Sequence, residues 1–83
     1  MTAPAPLARL LGRTRALILT ELAEPASTRP LAGRHGLAPS TVSAYLAALE
    51  AAGLLTGRRY GHEVRYRRTP LGRALSEEVL PGK

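Results

Sequence analysis

Between Gly36 and Gly53 the chain reads GLAPSTVSAYLAALEAAG, a helix with both of its ends marked. Proline is tolerated in a first helical turn because its missing N–H would be unbonded there anyway, so Pro39 marks the start. Glycine ends helices readily, so Gly53 marks the stop. Inside these limits Val42, Leu46 and Leu49 fall at i, i+4 and i+7, one narrow apolar stripe. Ala38 occupies the cap position, where alanine is a weak cap. A helix with so thin a stripe buries one edge and presents small residues on the other. The segment is therefore either support for a core or a surface offered to a partner.

The flanking segments say what this helix belongs to. Residues 1–6, MTAPAP, have no apolar pattern and are expected to be a flexible leader. Leu7, Leu10 and Leu11 form a short apolar cluster before Gly12. From Arg13 a helical pattern carries Leu17, Ile18, Leu19 and Leu22, and Pro25 is expected to close it. STRPLAGRHG then predicts a short helix, with Ser27 as an N-cap and Gly36 as the stop. After Gly53 the period changes from helix to strand. Val64 and Tyr66 alternate with Arg65 and Arg67, and Tyr60-Gly61-His62 supplies a turn, so residues 54–68 predict a β-hairpin. Thr69-Pro70 reads as cap and first turn of a last short helix with Leu71, Leu75 and Val79 on one side, ended by Pro81. Residues 7–80 thus form one domain, with 81–83 as a tail.

Charge is uneven along this layout. The 83 residues carry 12 basic and 6 acidic side chains, net +6, and eleven of the basic residues are arginine. Arginine favours planar, two-pronged contacts with phosphate. Residues 58–68 hold Arg58, Arg59, Arg65, Arg67 and Arg68 against Glu63, which is net +4 in eleven residues. Such a hairpin suits a phosphate backbone or a narrow minor groove, although a solvated strand face has the same composition. Strand alternation puts Arg65 and Arg67 opposite Val64 and Tyr66, and places Arg68 on the Val64 side, where it suits a supporting role.

Other chemistries find little here. There is no cysteine, which excludes disulfides and thiolate metal sites, and His35 and His62 are the two histidines. His35, near a helix C-terminus, reads as structural. Glu77 and Glu78 are neighbours on a helix and point about 100° apart, a poor chelate. No metal or cofactor is expected. Nothing groups a nucleophile, base and acid, so no catalytic residue is assigned and the chain is not expected to be an enzyme. No run approaches about 18 apolar residues and no signal peptide is evident, so a cytoplasmic protein is expected.

The order helix, short helix, glycine-containing turn, helix, basic hairpin, helix is the layout of a helix-turn-helix followed by a wing. In LLGRTRALILTELAE, PLAGRHGLAPSTVSAYLAALEAAGLL and GRRYGHEVRYRRTPLGRAL, the chain resembles winged helix-turn-helix regulators of the bacterial ArsR type. The resemblance covers most of residues 10–75. It implies a mainly α fold with a β-hairpin: a three-helix core, a two-stranded wing and a short C-terminal helix. It further implies a transcriptional regulator, usually a repressor, that binds double-stranded DNA as a homodimer.

On this resemblance residues 39–52 are the recognition helix, with Ser40, Thr41, Ser43, Ala44 and Tyr45 facing the major groove. Short hydroxyls near a helix N-terminus can bond phosphate oxygens or base edges, although Ser40 and Thr41 also suit bonding the first-turn amides. Positions 44 and 47 often carry basic or amide side chains in this family, and alanine at both leaves little direct base readout. Thr28 and Arg34, at the two ends of the preceding helix, become backbone contacts, with Thr28 also a candidate cap. Arg58, Arg59, Arg65 and Arg67 supply the wing's contacts, and His62 stands at its tip, a DNA contact or a turn residue. The family pairs its first and last helices, which nominates Leu7, Leu10, Leu75, Val79 and Leu80 for a dimer seam, or for closing the monomer's own core. A winged helix that binds a protein partner rather than specific DNA is the alternative function.

Overall fold

The computed structural model describes residues 11–77. Its elements are α1 (Arg13–Glu21), β1 (Ala26–Ser27), α2 (Thr28–His35), α3 (Pro39–Ala51), β2 (Leu55–Tyr60), β3 (Glu63–Arg68) and α4 (Pro70–Glu77). The three strands form one antiparallel sheet in the order β1-β3-β2. This is a winged helix-turn-helix.

The core lies among α1, α2 and α3. Ile18, Leu19, Leu22, Leu31, Val42, Leu46 and Leu49 are all buried, and Leu54 and Leu55 close it from the start of the wing. Each fully buried aliphatic side chain contributes about 1.5–3 kcal/mol. The apolar stripe of α3 is the part of that helix the core uses, as its spacing predicts.

The turn between α2 and α3 depends on Gly36, which adopts a left-handed backbone with φ 63°. That conformation costs an ordinary residue but not glycine. It lets the Leu37 N–H reach back to the Ala32 carbonyl at 3.0 Å. α3 begins at Pro39 with Ala38 in an extended conformation and no side-chain cap bond, so its start rests on proline rather than on a cap.

The structure corrects the sequence reading in three places. The sheet has a third strand, Ala26–Ser27, whose residues pair with Tyr66 and Arg65. Two residues are too few to show a period. Ser27 precedes α2 but does not cap it with its side chain. Its hydroxyl instead donates to Glu63 Oε2 at 2.9 Å. In α4 the buried residues are Gly72 and Ser76, while Leu71 is 57% exposed. The helix approaches Leu54 so closely that only glycine fits: a Cβ at position 72 would lie 2.0 Å from the Leu54 carbonyl oxygen.

Thr69 fixes the entry to α4 as a true cap. Its hydroxyl donates to the Gly53 carbonyl at 2.7 Å and accepts the Gly72 N–H at 3.0 Å. Arg68, only 8% exposed at its side chain, binds Glu77 Oε2 at 2.8 Å and also the Ser76 hydroxyl. The last residue of the wing is therefore tied to the helix that follows it.

Candidate nucleic-acid interface

α3 sorts its residues by angle. Ser40, Ser43, Ala44 and Ala47 are exposed and follow the i, i+3, i+4, i+7 spacing, so they form a stripe opposite Val42, Leu46 and Leu49. Thr41 and Tyr45 are half-buried on the flank toward α1. Tyr45 packs against the core and carries the Arg15 guanidinium over its ring, 5.0 Å from the centroid. Tyr45 is thus held from below, with part of its ring exposed.

The other flank of α3 faces the wing. Thr28 and Arg29 at the start of α2, Ser43 of α3, and His62, Val64 and Tyr66 of the hairpin line one open cleft of about 780 Å³. The geometry joins the first turn of α2, the middle of α3 and the tip of the wing around a single concavity. His62 is exposed in the two-residue turn that follows Tyr60.

Strand register divides the arginines of the wing between two faces. Arg59 is paired with Val64 and so shares the cleft side, whereas Arg58 is paired with Arg65, and Thr56 with Arg67, on the opposite side. Arg65 is engaged: its Nε lies 3.2 Å from Glu63 Oε1, and its guanidinium covers the Tyr60 ring at 4.7 Å. Arg34 is also engaged, 3.2 Å from Glu21 Oε1. It lines, with Arg65, a second hollow of about 410 Å³ that contains no residue of α3. Among the described residues no ion pair engages Arg29, Arg58, Arg59 or Arg67.

Arg29 is the residue the sequence reading passed over. It is exposed in the first turn of α2, a turn with no acidic residue. The partial positive charge of a helix N-terminus makes a cation there unfavourable. An arginine in a first helical turn that holds no acidic residue was the available signal.

Two acidic residues organise the surroundings. Glu21 receives His35, whose Nε2 lies 2.9 Å from Oε2, in addition to Arg34. The carboxylate sits off the N–H direction, so this is a close contact and not an aligned hydrogen bond. Arg34 thereby fastens the end of α2 to the end of α1, with His35 packed beside the same carboxylate. Glu63 accepts from the Ser27 hydroxyl and from Arg65, and these bonds, with the Arg65 charge, hold its carboxyl below its ordinary value of 4.5.

Of the residues nominated for a dimer seam, Leu75 is half-buried and packs against the core. Leu7, Leu10, Val79 and Leu80 lie outside the described residues. Among the described residues no three potential metal ligands converge, and no helix is long and apolar enough to cross a membrane.

No protein-family model matches the sequence, and no curated protein matches it significantly. Solved structures do. The transcriptional regulator BldR from Sulfolobus solfataricus is 30% identical over 88% of this chain and superposes with a TM-score of 0.76. Reduced HlyU from Vibrio cholerae is 28% identical, with 89% of this chain and 80% of HlyU covered and a TM-score of 0.76. Apo ZitR from Lactococcus lactis, at 22% identity, 88% coverage of this chain and a TM-score of 0.76, shares the fold. The chain spans 57% of the length of BldR and 58% of ZitR. The chain shares the winged-helix fold of these solved structures, one of them a transcriptional regulator by name.

Proposed function

We propose that the protein is a DNA-binding transcriptional regulator of the ArsR-like kind, acting as a cytoplasmic repressor by occluding promoter DNA. The observation that carries this reading is the cleft in which Ser43 of the exposed α3 stripe, Arg29 of α2 and the wing tip face the same space. In this reading α3 lies in the major groove and Ser40, Ser43 and Ala44 meet base edges or thymine methyls. Thr41 and Tyr45 meet the backbone along one flank, while Thr28, Arg29 and Arg59 grip it along the other. His62, Arg58, Arg65 and Arg67 reach the backbone or the minor groove. Two copies bind a two-fold symmetric site, with Leu75 and the segments around Leu7, Leu10, Val79 and Leu80 at the seam.

Fluorescence anisotropy with random and native upstream duplexes, across a salt series, tests the reading. Binding that weakens steeply with salt supports it. No binding at low salt overturns it. The exposed alanines 44, 47, 48 and 51 on α3 then favour the alternative, a docking face for a protein partner.

A further inference from the structure

We infer that Glu63 is a specificity-determining residue whose charge restrains the wing's affinity for DNA of arbitrary sequence; this rests on the DNA-binding reading. Glu63 is the single acid in a hairpin with five arginines. It is held at two points: Oε2 by the Ser27 hydroxyl at 2.9 Å, and Oε1 by Arg65 Nε at 3.2 Å. Ser27 belongs to β1, which is itself paired with β3, so the carboxylate cannot swing away from the wing without leaving a nearly buried hydroxyl behind. It lies at the first residue of β3, beside the turn, and borders the cleft shared with Arg29 and Ser43.

The consequence is electrostatic. A phosphate that approaches Arg65 also approaches Glu63, so the pair presents almost no net charge to it. The ion pair need not be strong for this, since a displaced guanidinium leaves the carboxylate in place. Phosphate contact supplies non-specific affinity, and base contacts supply discrimination. α3 offers only short side chains for discrimination. An uncompensated arginine at position 65 would raise binding to every sequence equally and shrink the margin that α3 provides.

The test compares the full chain with Glu63→Gln, which keeps an acceptor for Ser27 and removes the charge. Each protein is titrated with a random-sequence duplex and with the tightest duplex that the wild-type chain selects from a randomised pool. Glu63→Gln is expected to bind the random duplex more tightly, with a salt slope steeper by about 0.9, equivalent to about three-fold more affinity lost between 50 and 200 mM salt. Its preference for the selected duplex should fall. Adding Arg65→Ala should restore the wild-type slope, because local charge returns to its starting value. Ser27→Ala, which loosens the carboxylate but keeps its charge, should raise random-duplex affinity less than Glu63→Gln does. A wild-type chain that binds and a Glu63→Gln chain that is unchanged or weaker on random DNA overturn this inference alone. A wild-type chain that binds neither duplex overturns the DNA-binding reading and this inference with it.

Discussion

Gly72 meets the backbone of Leu54 at a distance that leaves no room for a methyl group, since a Cβ there would stand 2.0 Å from the carbonyl oxygen. The obstacle is main chain, so no rotamer change relieves it. Gly72→Ala should push α4 off the start of the wing and cost about 1–3 kcal/mol. A circular dichroism melt should show a midpoint lower by roughly 4–8 °C for each kcal/mol lost in a domain this small. An unchanged melt would mean that α4 does not pack at this distance.

Leu46 and Ser43 separate the two roles of α3. Leu46 is fully buried, and its replacement by alanine should cost about 2–5 kcal/mol in urea unfolding. Ser43 is exposed, and Ser43→Ala should stay within about 0.5 kcal/mol of the parent. Its effect should fall on which duplexes are preferred. Equal weakening on all sequences would move Ser43 from base readout to backbone contact.

Arg29 and Arg59 should act differently from Arg34. The first two make no ion pair among the described residues, whereas Arg34 is bound to Glu21. Alanine at 29 or at 59 should lower affinity for random duplex and flatten the salt slope by about 0.9 each. Arg34→Ala should change the slope less. If Arg34→Ala has the larger effect, the second hollow, not the cleft beside Ser43, holds the backbone.

Glu63 also sets an acid limit on stability. The Ser27 hydrogen bond, then Arg65, lower its folded pKa below 4.5. A carboxyl with a depressed folded pKa contributes stability that is present above its unfolded value and lost as pH falls through the folded one. Urea midpoints of the parent should therefore drop between pH near 4.5 and the more acidic range, and Glu63→Gln should lose that part of the decline. Parallel curves for the two proteins would show that the Ser27 and Arg65 contacts do not form in solution.

What was legible in the sequence was what is local. Pro39, Gly53 and the Val42, Leu46 and Leu49 stripe define α3 within its own turns, and strand parity separated Arg68 from Arg65 and Arg67. What was not legible depends on distant backbone. β1 exists because Ala26 and Ser27 meet Tyr66 and Arg65, far along the chain. The α4 face differs from the leucine spacing, which points to Leu71, because the contact with the Leu54 backbone requires Gly72, and Ser76 is buried on that side where it meets Arg68. The cleft was half legible: Ser43, Thr28 and His62 were named, but Arg29 is brought to them only by the fold.

The strand order β1-β3-β2 leaves β2 on the rim of the sheet, with Arg58 and Arg59 exposed there and the Gly57 N–H occupied by the Glu50 carboxylate at 3.2 Å. An open rim invites another chain to add a strand, and adjacent cations with a blocked amide discourage it. The same two arginines that suit a phosphate backbone therefore keep the hairpins of separate molecules apart. Neutralising both would exchange weaker phosphate contact for a tendency of wings to zip together.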